Sequence, residues 1–296
     1  MAETITDSTP GVADAHERNR AMTSKTDGRP ALSSELVEQF SLHGRTAVIT
    51  GAAGGIGRQA AITFTQAGAD VLIADVGVAG LEETAEMVAA AGGNATIVPT
   101  DVSDRDQVNA LADAAIKTHG RLDIWANVAG VIRYMNIVDA TPEDVEFITK
   151  INLWGTYWGV AAAGRTMTNG GSIINVSSAG GDMPAPTLSI YAMTKAAVSH
   201  LTRCAAVELG ANNIRVNAIA PGFTDTPMVQ SRWTNADGST NEAERESYTS
   251  TRAAQSPLRT IATPEDQSWA MLYLASDASR FITGQVIRPN GGVVMA

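Results

Sequence analysis

Thr46-Ala47-Val48-Ile49-Thr50-Gly51-Ala52-Ala53-Gly54-Gly55-Ile56-Gly57 runs from a short β-branched segment through a glycine-rich turn into a helical pattern, Ile56–Ala67. Glycines let the chain turn sharply and approach a ligand with no Cβ in the way. A helix opening at such a turn presents unpaired N–H groups and the positive end of its dipole, which suits a diphosphate. The spacing Gly-x-x-x-Gly-x-Gly is a variant of the dinucleotide-binding fingerprint. Many ordinary loops use a glycine-rich turn, so the context carries the weight. The next apolar run, Val71–Asp75, ends in an acid eighteen residues beyond Gly57. A carboxylate there can bond the ribose hydroxyls of an adenosine and would repel a 2′-phosphate. No Arg or Lys stands beside it in Asp75-Val76-Gly77. This reads as an NAD site, with NADP disfavoured.

Outward from this junction the same alternation repeats. Strand-like runs are expected at Thr46–Thr50, Val71–Asp75, Ala95–Pro99, Leu122–Asn127, Ser172–Val176, Ile214–Ile219 and Val286–Arg288. Helical stretches lie between them at Ile56–Ala67, Leu81–Ala91, Asp104–His119, Pro142–Thr166, Ser189–Leu209 and Pro264–Ala275. Alternating strands and helices imply a parallel sheet covered on both faces, and near-continuous apolar strands agree. Thr141-Pro142-Glu143 and Thr263-Pro264-Glu265 are helix starts with proline in the first turn. No internal repeat interrupts the pattern, so residues 41–296 read as one doubly wound α/β domain. Residues 1–40 differ: seven acidic and four basic residues are scattered among Ser, Thr, Pro and Gly. Residues 1–30 are expected to form a flexible tail, and Leu32–Phe40 a short helix capped near Ser33 or Ser34.

Composition narrows the function. The 296 residues are 44% hydrophobic and 18% charged, with mean hydropathy −0.01. No apolar stretch reaches the ~20 residues of a membrane helix, and no apolar leader follows the start. A net charge of −10, from 31 acidic and 21 basic residues, argues against nucleic acid as a partner. The single cysteine, Cys204, excludes an internal disulfide and a cysteine-rich zinc site. It is expected to pack within a helix, and the chain to reside in a reducing, cytoplasmic compartment. The four histidines, at 16, 43, 119 and 200, show no ligand spacing, so no metal is expected.

The chemistry is carried further along. Tyr191 and Lys195 are four apart in Tyr-Ala-Met-Thr-Lys at the start of a long helical stretch, so both side chains share one face. A free phenol titrates near pH 10, and a neighbouring ammonium lowers that value. Tyr191 can then take a proton from an alcohol or give one to a ketone. Ser178, thirteen residues earlier, follows the strand Ser172–Val176, where ligands gather at strand ends. Its hydroxyl can hold the substrate oxygen. Asn152, in the apolar setting Ile151-Asn152-Leu153-Trp154, needs a hydrogen-bond partner if buried. It is either structural or the holder of a water that relays protons from Lys195. Trp154, Tyr157 and Trp158 at helical spacing read as core or subunit contact.

Taken in order, the glycine turn, Asp75, Asn127-Val128-Ala129-Gly130, Asn152, Ser178, Tyr191, Lys195 and Pro221-Gly222 make the chain resemble a short-chain dehydrogenase/reductase over residues 42–296. The resemblance implies a single Rossmann-type doubly wound sheet of about seven parallel strands. It also implies a tetrad of Asn152, Ser178, Tyr191 and Lys195: relay-water anchor, substrate-oxygen holder, acid/base, and ribose-binding cation. Gly51, Gly55, Ile56 and Gly57 would line the diphosphate, with Asp75 at the ribose and Asp101-Val102 beside the adenine. Asn127 and Gly130 would line the cofactor, and Pro221, Gly222 and Thr226 would meet the nicotinamide amide and diphosphate. Helices beginning near Pro142 and Ser189 would meet partner subunits in a homotetramer. Two positions depart from the family pattern: Val128 stands where a second Asn is usual, and Asn290 where Asp precedes Gly291-Gly292.

Residues 223–260 resemble the family's variable substrate lid. Met183, Leu188, Met228 and Trp233, with Val131 and Ile132, are the apolar candidates for a pocket. They suit a medium-sized hydrophobic secondary alcohol or ketone. Alternatives are a 3-oxoacyl-(acyl carrier protein) reductase, for which Arg133 is the one candidate carrier contact, and a non-catalytic NAD(H)-sensing protein.

Overall fold

The computed structural model describes residues 32–235 and 237–295; the tail expected over 1–30 lies outside them. The short helix α1 (Ser34–Phe40) is capped by Ser33, whose hydroxyl accepts the Leu36 N–H, and buries none of its side chains. Seven strands follow among the described residues: β1 (Thr46–Thr50), β2 (Asp70–Asp75), β3 (Ala95–Pro99), β4 (Ile124–Asn127), β5 (Gly171–Val176), β6 (Ile214–Ile219) and β7 (Val286–Ile287). They form one parallel sheet in the order β3-β2-β1-β4-β5-β6-β7. The helices are α2 (Gly55–Gln66), α3 (Val78–Ala90), α4 (Arg105–His119), α5 (Pro142–Thr149), α6 (Gly155–Thr166) and the single turn α7 (Ala179–Asp182). Beyond them come α8 (Ser189–Leu209), the short α9 (Pro227–Gln230), α10 (Glu242–Gln255) and α11 (Pro264–Ala275).

The two-residue period of the strands divides the core into two layers. Ala47, Ile49, Val71, Ile73, Ile124 and Ile174 point to one face, against Ala60 and Phe64 of α2, Leu81 of α3 and Met271 of α11. Val48, Leu72, Ala74, Trp125 and Ile173 point to the other, against Leu111 of α4, Val160 and Ala163 of α6, and Ala205 of α8. Both faces are dry, which explains why these strands read as unbroken apolar runs. The chain builds β1, β2 and β3 in one direction and resumes with β4 on the opposite side of β1. A crevice opens at this reversal, outside the carboxyl ends of β1 and β4.

Both threonine caps form as expected. Thr141 and Thr263 each accept the N–H of the residue three ahead (Asp144, Asp266), whose carboxylate accepts in return from the cap N–H. The expected helix Pro142–Thr166 is not continuous, however. Between α5 and α6 it widens into a π-turn at Lys150–Trp154. Asn152 lies in that turn, fully buried, its side chain bonded across to Val131, and the wider turn delivers it there. The segment expected as a lid is also more helical than its sequence suggests. Asn241 caps α10 by accepting the Glu244 N–H, and only Ala253 of that helix is buried. A helix this polar overall does not stand out as an apolar stretch, so no helix was expected there. No helix among the described residues is long and apolar enough to cross a membrane.

Candidate active site

The crevice is a cleft of about 490 Å³ running from Asp75 to α10. At its first end, Gly51 adopts φ +70° and a Cβ there would lie 2.6 Å from the Ala129 nitrogen, so the ends of β1 and β4 touch backbone to backbone. Thr50 Oγ1 accepts the N–H groups of Val128 (3.1 Å) and Ala129 (3.3 Å) and fastens the two loops together. A Cβ on Gly57 would lie 2.1 Å from the Gly51 carbonyl oxygen; only glycine lets α2 start against the turn. Gly54 precedes α2 without a side-chain cap, which leaves the first N–H groups of the helix for an anion. Asp75 sits at the end of β2, accepting from Gly77 N (3.0 Å) and Ala53 N (3.3 Å). Gly51, Gly55, Ile56, Gly57, Asp75, Asp101, Val102, Gly130, Pro221, Gly222 and Thr226 all line the cleft. A turn in which Gly51, Gly54, Gly55 and Gly57 present no Cβ, a helix N-terminus and a carboxylate fit a dinucleotide.

Asn127 does not join them. Its Oδ1 accepts from the Trp125 indole N–H (2.7 Å), and its Nδ2 donates to Asn175 Oδ1 (2.9 Å), which continues to Thr202. The side chain is turned into the sheet to satisfy a buried indole, so its expected place beside the cofactor is corrected. Val128 lines the cleft and also packs against the core; the departure from Asn there leaves no buried polar group unpaired. Asn290 accepts the Gly292 N–H (2.9 Å) and donates to Val294 O (3.0 Å), holding the C-terminal turn without a carboxylate.

At the centre, β5 delivers Ser178, which caps the turn α7 by accepting the Gly180 N–H (3.0 Å). Tyr191 and Lys195, on the first turns of α8, face the same space. The site of a Cβ on Gly180 would lie 3.4 Å from Ser178 Oγ and 3.6 Å from the Tyr191 ring, so hydroxyl and phenol are neighbours. Lys195 Nζ is buried and donates to the Val176 carbonyl at 2.8 Å. It lies 5.8 Å from the Tyr191 ring centroid. Burial alone pushes its pKa from 10.5 down to about 8, so it is still charged at neutral pH. Burial pushes the Tyr191 phenol upward, hydrogen bonding to the Ser178 hydroxyl pulls it back, and the nearby Tyr134 phenol pushes it up again. The expected lowering by Lys195 is thus corrected, because the ammonium is committed to a carbonyl and not to the phenol oxygen.

Asn152 accepts from Val131 N (2.8 Å) and donates to Val131 O (2.9 Å) and Thr194 Oγ1 (3.3 Å). Both amide N–H groups are spent, so the side chain positions the Val131 wall and α8. The turn after Ser178 is braced by Asp182, whose two oxygens accept from Arg288 Nε (2.9 Å) and Nη2 (3.0 Å).

Val131, Ile132, Met183, Leu188 and Met228 line the cleft as expected. Trp233 does not; it is 3% exposed and packs behind Tyr248, ring centroids 5.8 Å apart. Tyr134, Phe223, Arg252 and Gln255 line the cleft and escaped the sequence reading. Tyr248, Arg252 and Gln255 stand at i, i+4 and i+7 of α10, a spacing that would have marked one face had the helix been recognised. Cys204 is exposed rather than packed, and is not among the residues of the cleft.

This doubly wound sheet, with its dinucleotide cradle and paired tyrosine and lysine, defines a nicotinamide-cofactor oxidoreductase class. The family profile described as Enoyl-(Acyl carrier protein) reductase matches residues 51–294. The chain is 35% identical over 256 residues to the 3-oxoacyl-(acyl carrier protein) reductase FabG of Thermotoga maritima, covering 86% of this chain and 99% of that one. It is 38% identical over 257 residues to the oxidoreductase UcpA of Salmonella typhimurium, covering 85% and 95%. A crystal structure of a short-chain type dehydrogenase/reductase from Mycobacterium marinum superposes with TM-score 0.81 at 33% identity, over 88% of this chain and 100% of that one. The chain belongs to the short-chain dehydrogenase/reductase family.

Proposed function

We propose that the protein is an NAD-dependent oxidoreductase that interconverts a medium-sized, largely hydrophobic secondary alcohol and its ketone. The observation that carries the reading is the Tyr191 phenol beside Ser178 and Lys195, in one cleft with a cradle that ends at Asp75. Ser178 holds the substrate oxygen, and Tyr191 takes the hydroxyl proton from an alcohol or returns it to a ketone. Lys195, a buried cation with one carbonyl acceptor, binds the ribose hydroxyls. Bound nicotinamide supplies the hydride exchange. Asp75 takes the adenosine ribose hydroxyls and disfavours a 2′-phosphate.

The test is NADH formation from NAD over a panel of secondary alcohols, with NADP and Tyr191→Phe run alongside. Turnover is expected to fall by orders of magnitude in Tyr191→Phe while NADH still binds; wild-type turnover in that variant would end the acid/base assignment. The similarity to FabG supports a second reading, reduction of a carrier-bound 3-oxoacyl group. Asp75 and Arg133 oppose it. Arg133 is paired with Asp144 at 2.6 Å and stacked on Phe147, so it is not free for an acidic carrier. A cofactor-sensing protein without turnover would bind NADH and leave every alcohol unchanged. Trp154 and Tyr157, 44% and 42% exposed on the outer side of α6 and the π-turn, support assembly into a homotetramer through this surface.

A further inference from the structure

We propose that the substrate carries a carboxylate at the end remote from the reacting carbon, and that Arg252 receives it. The inference rests on the proposed function and extends it. The acids that line the cleft, Asp75 and Asp101, are both at the dinucleotide end. Its cations are Lys195, at the centre, and Arg252, on α10 at the substrate end. Among the described residues no carboxylate lies within ion-pair distance of Arg252, although the chain has ten more acids than bases. Its hydrogen-bond partners are neutral. Nη1 donates to Gln255 Oε1 (3.1 Å) and Nη2 to the Tyr248 hydroxyl (3.2 Å). The guanidinium lies 5.0 Å from the centre of the Tyr248 ring.

These contacts orient the planar fork without cancelling its charge, and they leave N–H donors over. Arg232 lies 4.6 Å from the centre of the same ring and 4.5 Å from that of Tyr134, and it too has no carboxylate partner among the described residues. The tyrosine is thus flanked by two cations in a wall otherwise built of Met183, Leu188, Met228 and Phe223. A hydrophobic body with one planar anionic end fits that wall, and a guanidinium meets a carboxylate edge-on through paired N–H bonds.

The test is calorimetric titration of the full chain with 4-phenylbutanoate and with 4-phenylbutanamide, each with and without NADH. The wild-type protein is expected to bind the acid about tenfold to a hundredfold more tightly than the amide, the size of one charge-assisted bond. Arg252→Gln is expected to bring the acid down to the affinity of the amide, and Arg252→Lys to restore part of the preference; thermal melts of both variants verify the fold. Equal binding of acid and amide, binding of neither, or an acid preference that survives Arg252→Gln each overturns the proposal. A protein that binds no nicotinamide cofactor would remove the proposed function, while the titrations without NADH still decide the role of Arg252. A protein that oxidises neutral alcohols with NAD yet ignores the carboxylate would keep the function and remove this inference.

Discussion

Replacing Lys195 by methionine should abolish turnover and stabilise the fold. Lys195 is 4% exposed, with one carbonyl to receive its ammonium and no carboxylate partner among the described residues. Burial lowers its pKa from 10.5 to about 8. At about 1.4 kcal/mol per pH unit, holding the charged form inside the fold costs about 3 kcal/mol. Below pH 8 the group is protonated in both folded and unfolded chains, and the whole cost is present. Between pH 8 and 10.5 the folded protein has released the proton while the unfolded chain still binds it, so stability rises with pH until the cost is gone. Methionine has similar length and no charge. It removes the cost but leaves the Val176 carbonyl unpaired, a loss of about 1 kcal/mol. The net expectation is a variant more stable by about 2 kcal/mol at pH 7, with that advantage disappearing by pH 10.5. Urea denaturation of both proteins at several pH values reads the difference directly, and subtraction cancels every other titrating group. NADH formation with an alcohol substrate reads the functional loss. A variant less stable at pH 7, or an advantage that does not change with pH, would refute the reasoning.

Other consequences are equally direct. Gly57→Ala puts a methyl carbon 2.1 Å from the Gly51 carbonyl oxygen; NADH affinity should collapse and stability fall by about 2 kcal/mol, and fluorescence titration showing ordinary NADH binding would contradict the cradle. Asp75→Ala should weaken NAD and improve NADP, read as the ratio of the two kcat/KM values; an unchanged ratio would place cofactor choice elsewhere. Because burial holds the Tyr191 phenol above its ordinary value, ketone reduction should be fast at neutral pH. Alcohol oxidation, which needs the phenolate, should climb through the alkaline range. A rate of oxidation that is flat from pH 7 to 10 would mean the proton leaves by another group.

What could be read along the chain followed from local physics. The glycine turn at 51–57 declared itself because glycines cluster between a strand and a helix, and Asp75 because an acid ends an apolar strand. Spacing puts Tyr191 and Lys195 on one helix face, and only Ser178 and the ordered set of family-like residues singled the pair out. The roles that failed are those set by contacts distant in sequence. Asn127 looked like a cofactor contact until Trp125 and Asn175 claimed its amide. Trp233 looked like pocket wall, yet it lies behind Tyr248. Arg252 went unremarked because its helix is polar overall and was not expected from the sequence.

The sequence by itself therefore determined the doubly wound parallel sheet and the place of the glycine turn, and it named most of the residues from which the proposed site is built. Periodicity, glycine stereochemistry and residue chemistry act over a few neighbouring residues and need no third dimension. Only the tertiary structure decided how those groups are poised. The widening of the helix at Asn152, the capture of Lys195 by the Val176 carbonyl and the raised Tyr191 phenol all depend on burial and on partners brought together by the crossing of β4, β5 and α8. Desolvation is a property of what surrounds a group after folding, and the order of residues along the chain does not state it.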